Sequence, residues 1–401
     1  MNNNYDVVVF GATSFVGQIL CNYLKEHQEQ PALNWAIAGR SKTKLEQVKA
    51  ELGLTQDILV ADASDASALN ALCQQTKLII TTVGPYALYG EPLVKACAET
   101  GTDYCDLTGE VQFIRSMIDR YEATAQQSGA RIIHCCGFDS IPSDMGVWFT
   151  QQQSIKQFGE PCQNIHMQVK AAKGGLSGGT IASLMNVIEE ASKNPALRKQ
   201  MADPYMLCPE GISKTRQRNN PMFTKDSDSG RWEIPFFMGA INTRVVMRSE
   251  HLLSPLYGTG FSYDEAQSTG AGFGGRLKAM AGGAGLASFM LTASLAPGRW
   301  LLGKILPEPG EGPSPKEQLE GFFDIRFTGT TASGKTLSCK VTGDRDPGYG
   351  STAKMLAQSA ICLVKDKDQL AGGFWTTASG LGESLVTRLE NHAGLSFEVL
   401  K

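Results

Sequence analysis

The chain is poor in histidine, in paired cysteines and in net charge. Only 5 histidines occur in 401 residues. The 10 cysteines are scattered, with no C-x-x-C pair and no cysteine–histidine cluster at zinc spacing. No metal centre is therefore expected, and the thiols read as reduced, buried and structural, which implies a cytoplasmic protein. The adjacent Cys135 and Cys136 suit a strand. A formal net charge of −3 gives no electrostatic reason to expect a nucleic-acid partner. The opening MNNNYD has neither a charged region nor an apolar run before the first strand, so no secretory signal is expected. There is no internal repeat and no low-complexity block. What is present is 42% hydrophobic and 19% charged residues, enough for a large core, in a length that favours two domains.

Short apolar runs alternate with amphipathic stretches over the first 140 residues. Strands are expected at 5–10, 35–39, 58–62, 77–86 and 131–140, with a short one in DYCDLTGE. Helices are expected between them, at 15–27, 42–53, 65–75, 91–101 and 111–128. This rhythm predicts an α/β fold whose N-terminal unit is a Rossmann-type, doubly wound parallel sheet. After Pro142 the rhythm changes to a second, α+β unit. A helix (about 143–157) and a strand (164–172) come first, and a glycine-rich GGLSGGT then opens a helix at about 180–192. A polar loop (203–235) and a strand (241–249) follow, then a turn-rich linker (307–316) and a hairpin (322–344). The expected organisation is 1–142 dinucleotide binding, 143–345 substrate or interface, and 346–401 a C-terminal helix and tail packing back on the first unit.

The turn Gly11-Ala12-Thr13-Ser14-Phe15-Val16-Gly17 follows a strand and opens a helix. Gly11 makes the tight turn, Gly17 lets the helix approach the sheet, and the N–H groups between them face a pyrophosphate. Ser14 replaces the middle glycine of the usual pattern, and its hydroxyl is a candidate phosphate donor. The second strand ends in Arg40-Ser41 rather than an acid. An acid there would hold a ribose 2′-hydroxyl, whereas Arg40, helped by Ser41 and Lys44, suits a 2′-phosphate. The expected cofactor is NADP(H). Asp62 and Ala63, ending the third strand, are placed near the adenine, with helix capping an equal reading for Asp62. Val83, Gly84 and Pro85 are placed near the nicotinamide ribose.

Ligands of such sheets lie beyond the carboxyl ends of the strands. Three loops end there. VGPYALYGE (83–91) offers Tyr86 and Tyr89 as proton donors, or as lid aromatics. DLTGE (106–110) offers Asp106 and Glu110, or helix caps. GFDSIPSD (137–144) offers Asp139 to the substrate or nicotinamide, with Ser143 or Asp144 as caps. Residues 279–303 carry no charge until Arg299, which leaves open a buried core or dimer interface, a lipid contact and a membrane span.

Taken together, VVFGATSFVGQ, AGRSKTKL, VGPYALYGEPLVKAC, YCDLTGE and GFDSIPSDMG resemble the saccharopine dehydrogenase-like oxidoreductases, a group that includes trans-acting enoyl reductases of polyketide and glycolipid synthesis. The likeness resumes at 346–360 and 372–399 and is weak at 195–320. It implies NADP(H)-dependent reduction of a C=C or C=N bond in a lipid-type or carrier-bound small molecule. Saccharopine itself is not implied. The alternatives are a saccharopine-type amino-acid dehydrogenase and a non-catalytic, nucleotide-binding scaffold at a membrane. A carboxylate-rich substrate would need a compact set of cations, and Lys170, Lys173, Arg198, Arg216, Arg218, Arg231, Arg244 and Arg248 form no such motif. Peripheral membrane contact and homodimer formation are both left open.

Overall fold

A computed structural model describes residues 4–27, 29–175, 178–218, 221–227, 229–304 and 312–401. Two sheets organise the chain. The strands are β1 (Tyr5–Phe10), β2 (Trp35–Gly39), β3 (Ile58–Val60), β4 (Thr76–Thr81), β5 (Asp103–Cys105), β6 (Arg131–Ile133), β7 (Cys162–Lys173), β8 (Thr224–Lys225), β9 (Arg231–Pro235), β10 (Ser262–Ala271), β11 (Phe322–Thr331), β12 (Thr336–Gly343), β13 (Gly373–Trp375) and β14 (Leu395–Leu400). The first sheet is parallel, in the order β13-β6-β5-β4-β1-β2-β3. The second is mixed, in the order β14-β12-β11-β7-β10-β9-β8. Both the Rossmann-type unit and the α+β unit expected from the sequence are present.

The first sheet is covered on both faces, so its central strands read as unbroken apolar runs: WAIAG in β2 is buried at every position. The second sheet shows the period of two instead. In β11, Phe323, Ile325 and Phe327 point inward while their neighbours alternate outward. That inner face packs on the helix Ile141–Phe158, which is pinned to it at Gly146: a Cβ there would sit 2.2 Å from the Phe327 ring. The same helix carries the buried Asp144, which accepts hydrogen bonds from Ser249 Oγ (2.5 Å), Thr377 Oγ1 (2.8 Å) and the Ala378 N–H (2.8 Å). Burial pushes its carboxyl up to about 6, against those hydrogen bonds.

Residues beyond 346 serve both sheets. The helix Thr352–Asp366 packs against the helix Phe15–Glu26, β13 extends the first sheet beside β6, and β14 extends the second beside β12.

Three local expectations are corrected. Residues 241–249 form not a strand but part of the helix Gly239–Leu252. Its buried positions Ile241, Val245 and Ser249, and Asn242 and Val246, fall at helical spacing, and packing overrides the β-branched composition. The strand expected over 131–140 ends at Ile133, because Cys135 takes a positive φ of 61° and turns the chain. The polar stretch 203–235 contains β8 and β9, which pair antiparallel at the edge of the second sheet. Part of the glycine-rich GGLSGGT, at 176–177, and most of the 307–316 linker, at 307–311, lie outside the described residues.

The Gly146–Phe327 contact leaves no room for a side chain. Gly146→Ala is expected to destabilise the protein by about 1–3 kcal/mol, the usual cost of overpacking. A lower urea midpoint at unchanged slope checks this.

Candidate functional site

The dinucleotide turn has the geometry its glycines require. Gly11 sits at φ 92°, and a Cβ on it would lie 2.7 Å from Thr82 Oγ1. A Cβ on Gly17 would lie 2.2 Å from the Gly11 carbonyl oxygen. The N–H groups of Phe15 and Val16 fall in the first helical turn, where no intrahelical carbonyl reaches them. This is a cradle for an anion. Ala12, within the turn, is buried. Phe15 packs edge-on against Tyr349, with ring centroids 5.1 Å apart, which ties the turn to the 346–351 segment.

Ser14 does a different job from the one expected of it. Its hydroxyl oxygen accepts from the Gly17 N–H at 2.9 Å and lies 2.8 Å from Thr82 Oγ1, whose own proton goes to the Gly11 carbonyl. The hydroxyl is the helix cap and locks the turn to the end of β4, so its proton is already committed.

Arg40 follows β2 directly and is exposed, and Ser41 caps the next helix by accepting from the Lys44 N–H at 3.4 Å. The first turn of that helix holds no acid. Asp62 accepts from the N–H and hydroxyl of Ser64. Those bonds hold its carboxyl below the usual range, and nearby Arg40 lowers it further. An exposed guanidinium, a lysine and a helix N-terminus together suit a phosphate dianion.

The three carboxyl-end loops converge. Glu110 accepts from the N–H groups of Tyr86 (2.8 Å) and Ala87 (2.9 Å) and from Ser183 Oγ (2.9 Å), and so caps the short helix Tyr86–Tyr89. Tyr86 is turned into the core, where its hydroxyl donates to the Thr81 carbonyl at 3.1 Å. Burial, with Asp106 adding to it, pushes that phenol well up. A group so enclosed cannot hand a proton to a ligand. Tyr89, by contrast, is half exposed. Val83, Gly84 and Pro85 line the mouth of the loop, and a Cβ on Gly84 would lie 3.9 Å from Ser183 Oγ.

Asp106 is wholly buried and saturated. Its carboxylate receives Tyr104 Oη (2.9 Å), His134 Nδ1 (2.6 Å), the Thr108 N–H (3.1 Å) and the Cys135 N–H (3.1 Å). It is a structural clamp with no capacity left for substrate.

Asp139 is the opposite case. It is half-buried just past the turn that Asp106 fixes, and among the described residues no other residue hydrogen-bonds its side chain. Its Oδ1 lies 3.6 Å from where a Cβ on Gly109 would be, and Met238 reaches within 3.8 Å of the same point. Burial pushes its carboxyl up to about 7, against its own backbone N–H, and the Asp106 charge adds to the rise. A carboxyl poised near neutrality at the carboxyl end of the sheet can donate or accept a proton.

The sequence did not point to Asn242 or Glu265. Asn242 bridges Ser140 (3.0 Å), Ser143 (3.0 Å) and Glu265 (2.9 Å), binding the GFDS loop to the second sheet. Burial pushes Glu265 up to about 7. A lone Asn inside a misread strand carried no signal of this.

The fold and this turn define a Rossmann-type dinucleotide-binding protein with a second, mixed sheet. The profile of the saccharopine dehydrogenase NADP-binding domain matches residues 7–133. A Mycobacterium tuberculosis protein provisionally named a trans-acting enoyl reductase is 38% identical, the match covering 99% of this chain and 98% of that one. A trans-acting enoyl reductase of Mycobacterium bovis is 35% identical, covering 96% and 95%. The apo saccharopine dehydrogenase (L-Glu forming) of Saccharomyces cerevisiae shares the fold at TM-score 0.55 and 14% identity, covering 99% of this chain and 100% of that one. The chain belongs to the saccharopine dehydrogenase-like oxidoreductases, the family that holds these relatives.

Proposed function

We propose that the protein is an NADP(H)-dependent reductase of a C=C or C=N bond in a lipid-type or carrier-bound substrate. The observation that carries this reading is Asp139: an unpartnered, half-buried carboxyl poised near neutrality, on the loop past the carboxyl end of the dinucleotide-binding sheet. Its support from outside is the name of the relatives above. When bound, NADPH supplies a hydride to one carbon of the double bond. The other atom then needs a proton, and Asp139 is the group placed to give it. Arg40, Ser41 and Lys44 are the residues that would grip the 2′-phosphate, and the Gly11–Gly17 cradle would hold the pyrophosphate. Tyr89 is assigned no proton, being exposed at the rim.

The lipid part of the reading rests on the segment 272–304. Helix Gly272–Ser294 lies on β9 and β10 through small residues: a Cβ on Gly275 would meet the Gly270 carbonyl oxygen of β10 at 2.2 Å, and one on Gly282 the Ile234 side chain of β9 at 3.2 Å. Its other side is left bare, with Phe273, Leu277 and Leu291 between 59 and 81% exposed, and Leu295 and Trp300 just beyond it are 55 and 64% exposed. The chain bends by 113° into helix Ala296–Leu302, and no single described helix is long and apolar enough to cross a membrane. Four cations (Arg276, Lys278, Arg299, Lys304) and no acid occur over 272–304. An apolar face with exposed aromatics and an excess of positive charge, even with Arg299 paired to Glu189, suits the surface of an anionic bilayer. This favours a peripheral contact that brings the protein to its substrate. The amino-acid dehydrogenase reading gains nothing comparable. Arg216 and Arg218 line a cavity on the far side of the second sheet, while Arg244 and Arg248 are spent on backbone carbonyls.

Arg40→Asp is expected to weaken NADPH binding by roughly one to two orders of magnitude, the size of one or two charge-assisted hydrogen bonds. Calorimetry with NADPH and NADH measures it, and an unchanged NADPH affinity refutes the assignment. As the acid, Asp139 works only when protonated, so kcat/KM with an enoyl thioester should fall as pH rises through about 7. Asp139→Asn should lose that limb and about 10²–10⁴-fold in rate; a wild-type rate removes the assignment. The protein should sediment with phosphatidylglycerol vesicles, and Leu291→Glu with Trp300→Glu should abolish this. A failure to sediment, or a dimer that the same double variant splits, assigns the face to a second copy instead.

A further inference from the structure

A cavity of about 710 Å³ opens on the outer face of the second sheet. Side chains alternate along β7. Ile165, Met167 and Val169 enter the core against helix Ile141–Phe158, so His166 points the other way, away from the dinucleotide turn. In the parallel pairing of β7 and β10, His166 stands opposite Asp264. Its Nδ1 lies 2.7 Å from Asp264 Oδ2, and its Nε2 lies 3.1 Å from Glu233 Oε1 on β9. Asp226, next to β8, brings a further carboxylate. Ligand atoms of His166, Asp226 and Glu233 all lie within 4.8 Å of one another.

Asp264 adds an independent observation. It lines the cavity, is only 5% exposed, and its Oδ1 has no hydrogen-bond partner among the described residues. A bare carboxylate oxygen in such a place is costly unless positive charge comes close to it. Glu233 is also buried and is oriented by a hydrogen bond from Gln168 Nε2.

We propose that His166 Nε2, Glu233 and Asp226 form a binding site for a divalent transition metal, with Asp264 as the carboxylate that orients the imidazole from behind. One imidazole nitrogen and two carboxylates make a donor set for Zn²⁺ or Mn²⁺. A carboxylate on the far ring nitrogen is the usual means of fixing the tautomer of a metal-binding histidine. Three protein donors leave coordination positions open toward the cavity. Arg216 and Arg218 on its wall are placed to steady an anionic co-ligand there. The ligands come from two parts of the chain, His166 on β7 and Asp226 with Glu233 on the β8–β9 hairpin, and the 60-residue separation of His166 from Asp226 leaves no compact spacing motif.

The test uses full-length, tag-free protein stripped with chelator and titrated with Zn²⁺ alone, the bound metal being counted by mass spectrometry. One Zn²⁺ per chain is expected. His166→Ala and Asp226→Asn should each weaken binding at least tenfold, and Asp264→Asn by about 10–100-fold. Asp226 is only partly buried, so its variant decides the matter even if His166→Ala fails to fold. Absence of stoichiometric Zn²⁺, or unaltered affinity in Asp226→Asn, overturns the proposal and leaves His166 as a charged bridge between two carboxylates. The readout is metal content, so it stands or falls apart from the reductase reading.

Discussion

The buried Asp106 carboxylate is the constraint on which the carboxyl edge of the first sheet depends. It stands where β5 ends, and two of its four donors come from the end of β6. Its bond from the Cys135 N–H holds a cysteine at φ 61°, a conformation costing of order 1–3 kcal/mol. That turn stops β6 and throws GFDS across the carboxyl end of the sheet. Asp106 is held there by four hydrogen bonds that take the place of water. Asp139, a few residues further on, lacks such donors and is pushed toward neutrality in part by the charge of Asp106. The satisfied acid thus sets the position of the unsatisfied one, whose proton affinity is raised first by burial and then by the Asp106 charge.

A second buried acid joins the two halves. Asp144 links helix Ile141–Phe158 to Ser249 and to the Thr377–Ala378 turn, three segments far apart in sequence. Near it, Asn242 ties Ser140 and Ser143 to Glu265 on β10. The loop that carries Asp139 therefore lies between two polar networks, one reaching each sheet. A loop held from both sides keeps a reacting group in place more firmly than one packed against a single domain.

Much of the fold was legible because its signals are local. The apolar runs of the first sheet, the glycines at 11 and 17 and the alternation of β11 each follow from one element's own surroundings. Residues 241–249 were misread because INTRVVMRS has the composition of a strand, whereas burial at 241, 245 and 249 depends on what packs against it. Ser14 looked like a phosphate donor because sequence cannot show that Thr82 stands beside it. Asp139 could be named from its place after a strand. Its isolation left no local trace, and the saturation of Asp106 is completed only by His134 and Cys135, 28 and 29 residues away. The His166 cluster is the extreme case, since each of its members is an ordinary residue on an ordinary strand or turn.

The placement of β13 and β14 has a consequence for how the chain is made. The strand that closes the β6 edge and the strand that closes the β12 edge both lie within the last 30 residues. At elongation rates of about 5–20 residues per second, the β6 edge waits unpaired for roughly ten seconds or more before β13 emerges. Through that interval the first sheet is a template open to any other extended chain. During synthesis the nascent protein is thus at its most vulnerable to mispairing after its cofactor-binding unit has been translated and before its tail has left the ribosome.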